Sequence, residues 1–170
     1  RNGQPLRGKD HYGDRRLPDW VKEQRESWHG VDYMYHGGIN FEDFFHRYTE
    51  TVRGIDDSVG SVLGYLDRNG LAEDTLVIYM GDNGFSFGEH GRIDKRHCYE
   101  ESAKVPLIVR WPSKLEGGEP IESLVQNIDI APTILEAAGI QAPQEMQGMS
   151  FVPLMTRADP PWRDRIFYEY

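Results

Sequence analysis

Over the first forty positions apolar residues follow no clean period, and Gly, Arg, Asp and Trp are prominent. This stretch reads as an irregular surface arm, with one short helix expected near Pro18 to Gln24. From Phe41 the pattern changes. Phe41, Phe44, Phe45, Tyr48, Val52, Ile55, Val59, Val62, Leu63 and Leu66 recur at spacings of three and four. That stripe predicts a single amphipathic helix of about 28 residues. Asn40 is placed to cap its start, with Asp43 where a capping box usually has Glu, and Gly70 after Arg68 and Asn69 is a natural stop. Gly54, Gly60 and Gly64 each lower helix propensity by about 1 kcal/mol relative to Ala, which points to close packing of this helix against a sheet.

Past the helix the apolar runs become short and continuous. "TLVIYMG" (Thr75 to Gly81) suits a central strand buried on both faces, and "VPLIVRWP" a second strand closed by Pro112. "SLVQNID" is a third short strand candidate. "DIAPTILEAAG" predicts a helix with Asp129 as its cap, Pro132 in its first turn and Gly139 as its stop. "MSFVPLMT" reads as a short helical turn and "RIFYEY" as a last strand. The alternation of helices and strands argues an α/β sandwich built on a largely parallel sheet. No internal repeat or low-complexity segment is present.

Composition narrows the classes. At 170 residues the chain is long enough for one domain with a core. Its hydrophobic fraction is 38% and its mean hydropathy −0.64, with no apolar run near the ~20 residues of a membrane span. A net charge of −9 argues against a nucleic-acid partner, although it permits a local anion site. Cys98 is the one cysteine, so no internal disulfide forms. The chain opens at Arg1 without a signal-like apolar stretch and stops at Tyr170 inside an aromatic alternation. Both ends look cut, and the sequence reads as a segment of a longer protein.

The chemistry concentrates between Gly81 and Ser102, "GDNGFSFGEHGRIDKRHCYEES". In open α/β sheets the ligand crevice lies beyond the carboxyl ends of the strands, where Asp82 and Asn83 would sit. A carboxylate and a neutral amide oxygen suit a hard cation such as Ca2+ or Mg2+; a His in place of Asn83 would tilt the choice toward Zn2+. Two residues cannot fill the roughly six to eight oxygen positions of calcium, so further ligands must come from elsewhere. Asp-Asn-Gly is also a common plain turn. Farther on, Lys95 offers a compact charge for an anionic oxygen, and Arg92, Arg96 and His97 add positive potential. Lys95 and Arg92 are the candidate substrate-binding residues. A cation with cationic side chains around it binds a sulfate or phosphate ester. The same run also fits a solvated face on which Glu100 and Glu101 pair with Arg96.

This order of features resembles the second half of the sulfatase catalytic domain, within the alkaline-phosphatase-like superfamily. The resemblance covers about residues 46 to 156 and rests on "YTETVRGIDDSVGSVLGYLDRNGLAEDTLVIYMGDNG", "GEHGRIDKRHCYEESAKVPLIVRWP", "VQNIDIAPTILEAAGI" and "QGMSFVPLM". It implies an α/β fold, an alkaline-phosphatase-like sandwich of a mostly parallel sheet flanked by helices. Residues 1–40 would be an irregular arm, and 41–170 the C-terminal part of the catalytic domain, truncated at both ends. It further implies that Asp82 and Asn83 bind Ca2+, that Lys95 contacts the sulfate, and that the "GEHG" loop brings His90 toward the leaving-group side. His90 could equally hydrogen-bond the loop to itself.

The departures are as informative. The family's Cys/Ser-x-Pro/Ala-x-Arg motif, whose first residue becomes the formylglycine nucleophile, has no counterpart here. Cys98 lies in "HCYEES" and reads as an ordinary half-buried thiol. The family's two N-terminal Asp ligands have no match either, nor does the His that the resemblance would place just upstream of Arg1, before the irregular arm. His11, His29 and His36 lack a matching context, and His46 reads as a helix-face histidine.

The segment is therefore expected to hold half an active site and to show little turnover by itself. The implied parent is a sulfuric ester hydrolase acting on a sulfated carbohydrate or aryl sulfate ester, periplasmic or secreted, whose nearest partner is its own missing N-terminal half. No nucleic-acid or membrane partner is implied. Three alternatives stay open: a phosphodiesterase or phosphonate monoester hydrolase of the same superfamily, a non-catalytic anion- or glycan-binding module, and a purely structural domain. The aromatic residues Trp20, Trp28, Tyr33 and Tyr35, and the end near Tyr168, suit sugar stacking and equally suit packing against the missing half.

Overall fold

The computed structural model describes residues 18–23, 27–28, 30, 38–118, 120–158 and 160–168. Tyr33, Tyr35, His11, His29, His36 and Tyr170, with most of the arm, lie outside them. The chain divides into two compact units, Arg1–Val62 with Asn83–Pro106, and Leu63–Asp82 with Leu107–Tyr170.

In the first unit, the short helix expected in the arm is α1 (Asp19–Glu23), where Lys22 Nζ donates to Asp19 Oδ1 at 3.0 Å. The long helix is α2 (Phe41–Arg68), 28 residues that run on into the second unit. Asn40 caps it: its Oδ1 accepts the Asp43 N–H at 2.9 Å, which satisfies a donor left free by the first turn. Only the start of the apolar stripe is used for a core. Phe41 and Ile93 are buried, with Ile39, Phe44, Phe45, Phe85 and Phe87 packed around them. The Phe44 ring lies 5.9 Å from Phe85 and 6.0 Å from Phe87, and Tyr48 lies 4.5 Å from Phe87, at tilted angles that suit ring quadrupoles. Farther along the same stripe, Val52, Ile55 and Val62 are 43%, 40% and 57% exposed. A methyl placed on Gly54 or Gly60 would meet no described atom within 4 Å, so the close packing expected at these glycines is not seen among the described residues.

The C-terminal end of α2 lies in the second unit. There Leu71 N–H donates to Leu66 O at 2.9 Å and Gly70 N–H to Asp67 O at 3.2 Å, with Gly70 at φ 66°. This is a Schellman stop, and it requires the left-handed backbone that glycine adopts without penalty. Strand β1 (Val77–Met80) pairs antiparallel with β2 (Leu107–Arg110), Val77 opposite Arg110 and Met80 opposite Leu107. The largely parallel sheet expected from the sequence is corrected here, since the described strands form only this antiparallel pair. A parallel pairing needs a crossover, usually a full helix. Between β1 and β2 the helical pieces are only a 3-10 turn at Glu89–Gly91 and the four-residue helix α3 (Glu100–Ala103). β1 is half-buried throughout, and Ile108 on β2 is 62% exposed, so neither strand is buried on both faces.

Two further strand expectations are corrected. "SLVQNID" forms no strand and ends in a 3-10 turn, Asn127–Asp129, leading into helix α4 (Ile130–Ala137). No described residue of "RIFYEY" is in a strand, and Phe167 and Ile166 are exposed. The predicted turn in "MSFVPLMT" is helix α5 (Val152–Met155).

The centre of this unit is a buried acid. Asp129 is fully buried and stands at the start of α4 without a side-chain bond to that helix. Its Oδ2 accepts the Gln126 N–H and its Oδ1 the Met149 N–H, both at 2.8 Å. Arg163 closes the set with two guanidinium bonds, one to each carboxylate oxygen. Thr133 extends the network, donating to Asp129 O at 2.7 Å and accepting the Phe151 N–H at 3.0 Å. Gly148 lies so close to the Ile128 carbonyl that a Cβ there would overlap it. α4 ends as α2 does, at Gly139 with φ 72°, where Ile140 N–H donates to Leu135 O at 2.8 Å. Among the described residues no helix is long and apolar enough to cross a membrane.

Candidate functional site

The loop from Asn83 to Glu101 belongs to the first unit. It is tied at both sides. Gly84 N–H donates to Ser102 O at 2.9 Å, and a Cβ on Gly84 would overlap the Glu101 carbonyl, so only glycine lets these two segments meet. Ser86 N–H donates to Asp94 O at 2.9 Å, and Gly88 N–H to Arg92 O at 2.8 Å. Within that closure Gly88, His90 and Gly91 have φ of 101°, 52° and 66°. His90 is half-buried, while Ile93 and Asp94 farther along the loop are buried.

Charged and polar side chains of the loop then meet pairwise. Lys95 Nζ donates to Asn83 Oδ1 at 3.1 Å, and Asn83 Nδ2 to the Gly84 carbonyl at 2.8 Å. Arg92 Nη1 lies 2.7 Å from His97 Nε2. Arg96 and His97 each come within 3.8 Å of the buried Asp94 carboxylate. His90 Nε2 lies 3.2 Å from Glu101 Oε2, and the imidazole stacks on Tyr99 with centroids 3.8 Å apart and planes 10° apart. Charge counting alone set Glu101 against Arg96; in the folded loop its carboxylate meets His90, and Arg96 meets Asp94. The Tyr99 and Glu101 contacts were missed because they depend on the left-handed turn at His90, which no sequence signal marks.

Asp82 ends the stretch after β1 in the second unit, where its carbonyl accepts from Asn127 Nδ2 at 3.2 Å. The boundary between the units falls between Asp82 and Asn83. Among the described residues no group of three or more His, Cys, Asp or Glu gathers to hold a metal. Asp82 and Asn83 supply hard oxygen donors only, and the Asn83 oxygen already faces a cation, the Lys95 ammonium. That donor set fits a hard ion such as calcium in preference to a soft one. Cys98 is exposed, not half-buried as its sequence context suggested, and no motif around it marks a nucleophile. A separate cavity of about 450 Å³ in the second unit is lined by Asp74, Leu76, Ile78, Trp111, Ile134, Ala137 and Ala138. It carries none of the cationic groups of the loop.

Residues 88–170 match the family described as N-sulphoglucosamine sulphohydrolase, C-terminal. An N-acetylglucosamine-6-O-sulfatase of Bacteroides thetaiotaomicron is 37% identical over 76% of this chain and 24% of its own length. A structure of a protein in complex with its substrate D-glucosamine-2-N,6-O-disulfate matches at 36% identity and a TM-score of 0.71, covering 76% of this chain and 28% of that one. The phosphonate monoester hydrolase of Silicibacter pomeroyi matches at 32% identity and a TM-score of 0.60, covering 64% and 22%. The chain thus spans about a quarter of the length of the relatives it matches. The fold of these neighbours is alkaline-phosphatase-like, of which the two units here are a partial α/β piece. Taken with the loop geometry, these likenesses place the chain in the sulfatase family of the alkaline phosphatase superfamily, as the C-terminal part of its domain.

Proposed function

We propose that this segment works within a longer sulfuric ester hydrolase, where it supplies part of a calcium site and the grip on the sulfate group. The observation that carries this reading is the Lys95 to Asn83 contact at 3.1 Å, which brings the sulfate-binding candidate beside a metal-ligand candidate. Asp82 and Asn83 would hold Ca2+ through oxygen, and the ion would supply charge neutralisation and positioning for the ester oxygens. Lys95 places a second positive charge on the same oxygens, and Arg92, oriented by His97, adds to the potential around them. His90 stands on the leaving-group side. The formylglycine nucleophile has no precursor among these residues, so the remaining part of the polypeptide would provide it, and the segment alone would be inactive. A sulfated amino sugar is the favoured substrate, because the similar proteins act on N-acetylglucosamine-6-sulfate or bind a glucosamine disulfate.

The phosphonate monoester hydrolase likeness keeps phosphoryl chemistry as the second reading. The polypeptide containing this segment together with the rest of its domain should be assayed against N-acetylglucosamine-6-sulfate and phenyl methylphosphonate, and its metal content measured. Sulfate release with retained Ca2+ is expected. Faster phosphonate cleavage with Zn2+ or Mn2+ would move the assignment to the second reading. Anion binding without turnover of either ester would identify a non-catalytic module.

A further inference from the structure

We propose that Asp94 is a positioning residue that fixes Lys95 against Asn83 and so sets the geometry of the sulfate grip. The inference rests on the sulfatase reading above and adds to it a buried acid that the grip itself does not include.

Lys95 needs a fixed base. Its ammonium ends a flexible four-carbon stem, so the 3.1 Å contact with Asn83 holds only the far end of the side chain. The near end is set by the main chain, where residues 83–86 meet residues 93–95. Phe85 packs on the cluster that buries Ile93, and Ser86 N–H donates to Asp94 O at 2.9 Å. The Lys95 to Asn83 contact joins the same two strips of chain. Ile93 is 1% exposed and Asp94 5%, whereas Lys95 is exposed. The chain therefore leaves the core at Lys95, and it bends at that residue.

The Asp94 side chain closes the bend. Its Oδ1 lies 3.8 Å from Arg96 Nε, and its Oδ2 lies 3.8 Å from His97 Nε2. The residues that follow Lys95 are thus drawn back to a buried carboxylate, with the lysine at the tip between them. The Arg96 guanidinium is a permanent cation, and an acid removed from water attracts it more strongly than an exposed acid would. An amide in place of the carboxylate keeps the shape and the Ser86 bond but removes that attraction. The tip of the bend is then held at one end only. A displacement of about 1 Å in a group that stabilises the reacting ester can cost on the order of 10²-fold in rate. Asp94 therefore influences turnover through the placement of Lys95.

The test is a double-mutant cycle in the full polypeptide, with 4-methylumbelliferyl sulfate as the ester. Asp94→Asn should lower kcat/KM by about tenfold beside Lys95 and by less than about twofold in a Lys95→Ala background, where no lysine is left to position. Arg96→Gln, a change at an exposed side chain, should follow the same pattern at about threefold or more beside Lys95. Melting temperatures report whether Asp94→Asn folds; if it does not, Arg96→Gln decides in the same way. A merely structural role gives the same fold-loss in both backgrounds. That result, or no loss beside Lys95, overturns the proposal and leaves the sulfatase reading standing. If Lys95→Ala itself costs less than about threefold, the lysine is outside the grip and the proposal falls with that assignment. Absence of sulfate-ester turnover in the unmodified polypeptide would remove the sulfatase reading itself.

Discussion

The Lys95 ammonium rests on the Asn83 amide oxygen, Nζ to Oδ1 3.1 Å, with the closed turn around His90 between them in sequence. An amide oxygen that accepts from an ammonium faces positive charge, and under the function proposed above the lysine would reach an anion bound beside Asn83. Lys95→Ala in the full polypeptide should therefore reduce kcat/KM for a sulfate ester by about 10²–10³-fold, the effect of losing one preorganised stabilising group. Lys95→Arg should recover little, because a planar fork does not replace a compact point charge. Steady-state kinetics on the two variants decides it; a loss below about threefold for Lys95→Ala would remove the lysine from the sulfate site.

Calcium linkage gives an independent measurement. A ligand that binds only the folded state at a hundred times its Kd stabilises by about 2.7 kcal/mol. Melting of the full polypeptide should rise on adding Ca2+ and fall with chelator, and Asp82→Ala or Asn83→Ala should abolish the response. Equal shifts in wild type and both variants would show that the ion binds elsewhere.

The Asp129–Arg163 pair sets the stability of the second unit. Removing one partner of a buried pair strands the other, at a cost of about 3–5 kcal/mol. Asp129→Asn should lower the urea midpoint accordingly, and Arg163→Met should do the same. A change under about 1 kcal/mol in both would mean that the pair is not what orders α4 and the Met149 strip.

The same acid predicts a pH dependence. Burial pushes the Asp129 carboxyl upward, but the Arg163 hydrogen bond, the Gln126 and Met149 N–H groups and the Arg163 charge together outweigh it and hold the group below the usual carboxylate range. A depressed folded value means that the stabilisation is complete above the unfolded value, about pH 4, and is lost as pH falls through the folded value. Urea midpoints measured from pH 6 downward should fall below about pH 4 in wild type. Asp129→Asn should show a flatter profile there.

Two glycine substitutions should move stability in opposite directions. Gly148→Ala forces a methyl into the Ile128 carbonyl and should destabilise. Gly54→Ala meets no described atom and should stabilise α2 by up to about 1 kcal/mol. Urea unfolding of the full polypeptide compares them directly. A loss of stability for Gly54→Ala would reveal a surface outside this segment that packs on Gly54.

What the sequence made legible was local. Asn40 and the left-handed glycines Gly70 and Gly139 mark helix ends because the capping bonds span only a few residues. The extent of α2 followed from its period, and β1 and β2 from their apolar runs. Strand direction was not legible, because two strands in succession do not reveal whether the chain between them holds a crossover helix. The role of Asp129 was read as a helix cap because that needs only its neighbours, whereas its partner Arg163 is 34 residues away. At the site, the residue types of Asp82, Asn83 and Lys95 suggested a cation beside an anion grip, and His90 entered only through the family resemblance. The support around His90 depends on a single backbone turn, and only coordinates expose it.

The two-stranded sheet has a consequence for handling the protein. β1 and β2 pair with each other along one side, and the described residues show no further strand along the other. Bare main-chain donors and acceptors on a ribbon with Ile108 facing solvent make an adhesive flank. Expressed by itself, the segment should recruit copies of its own strands and precipitate at concentrations where the whole domain stays dispersed.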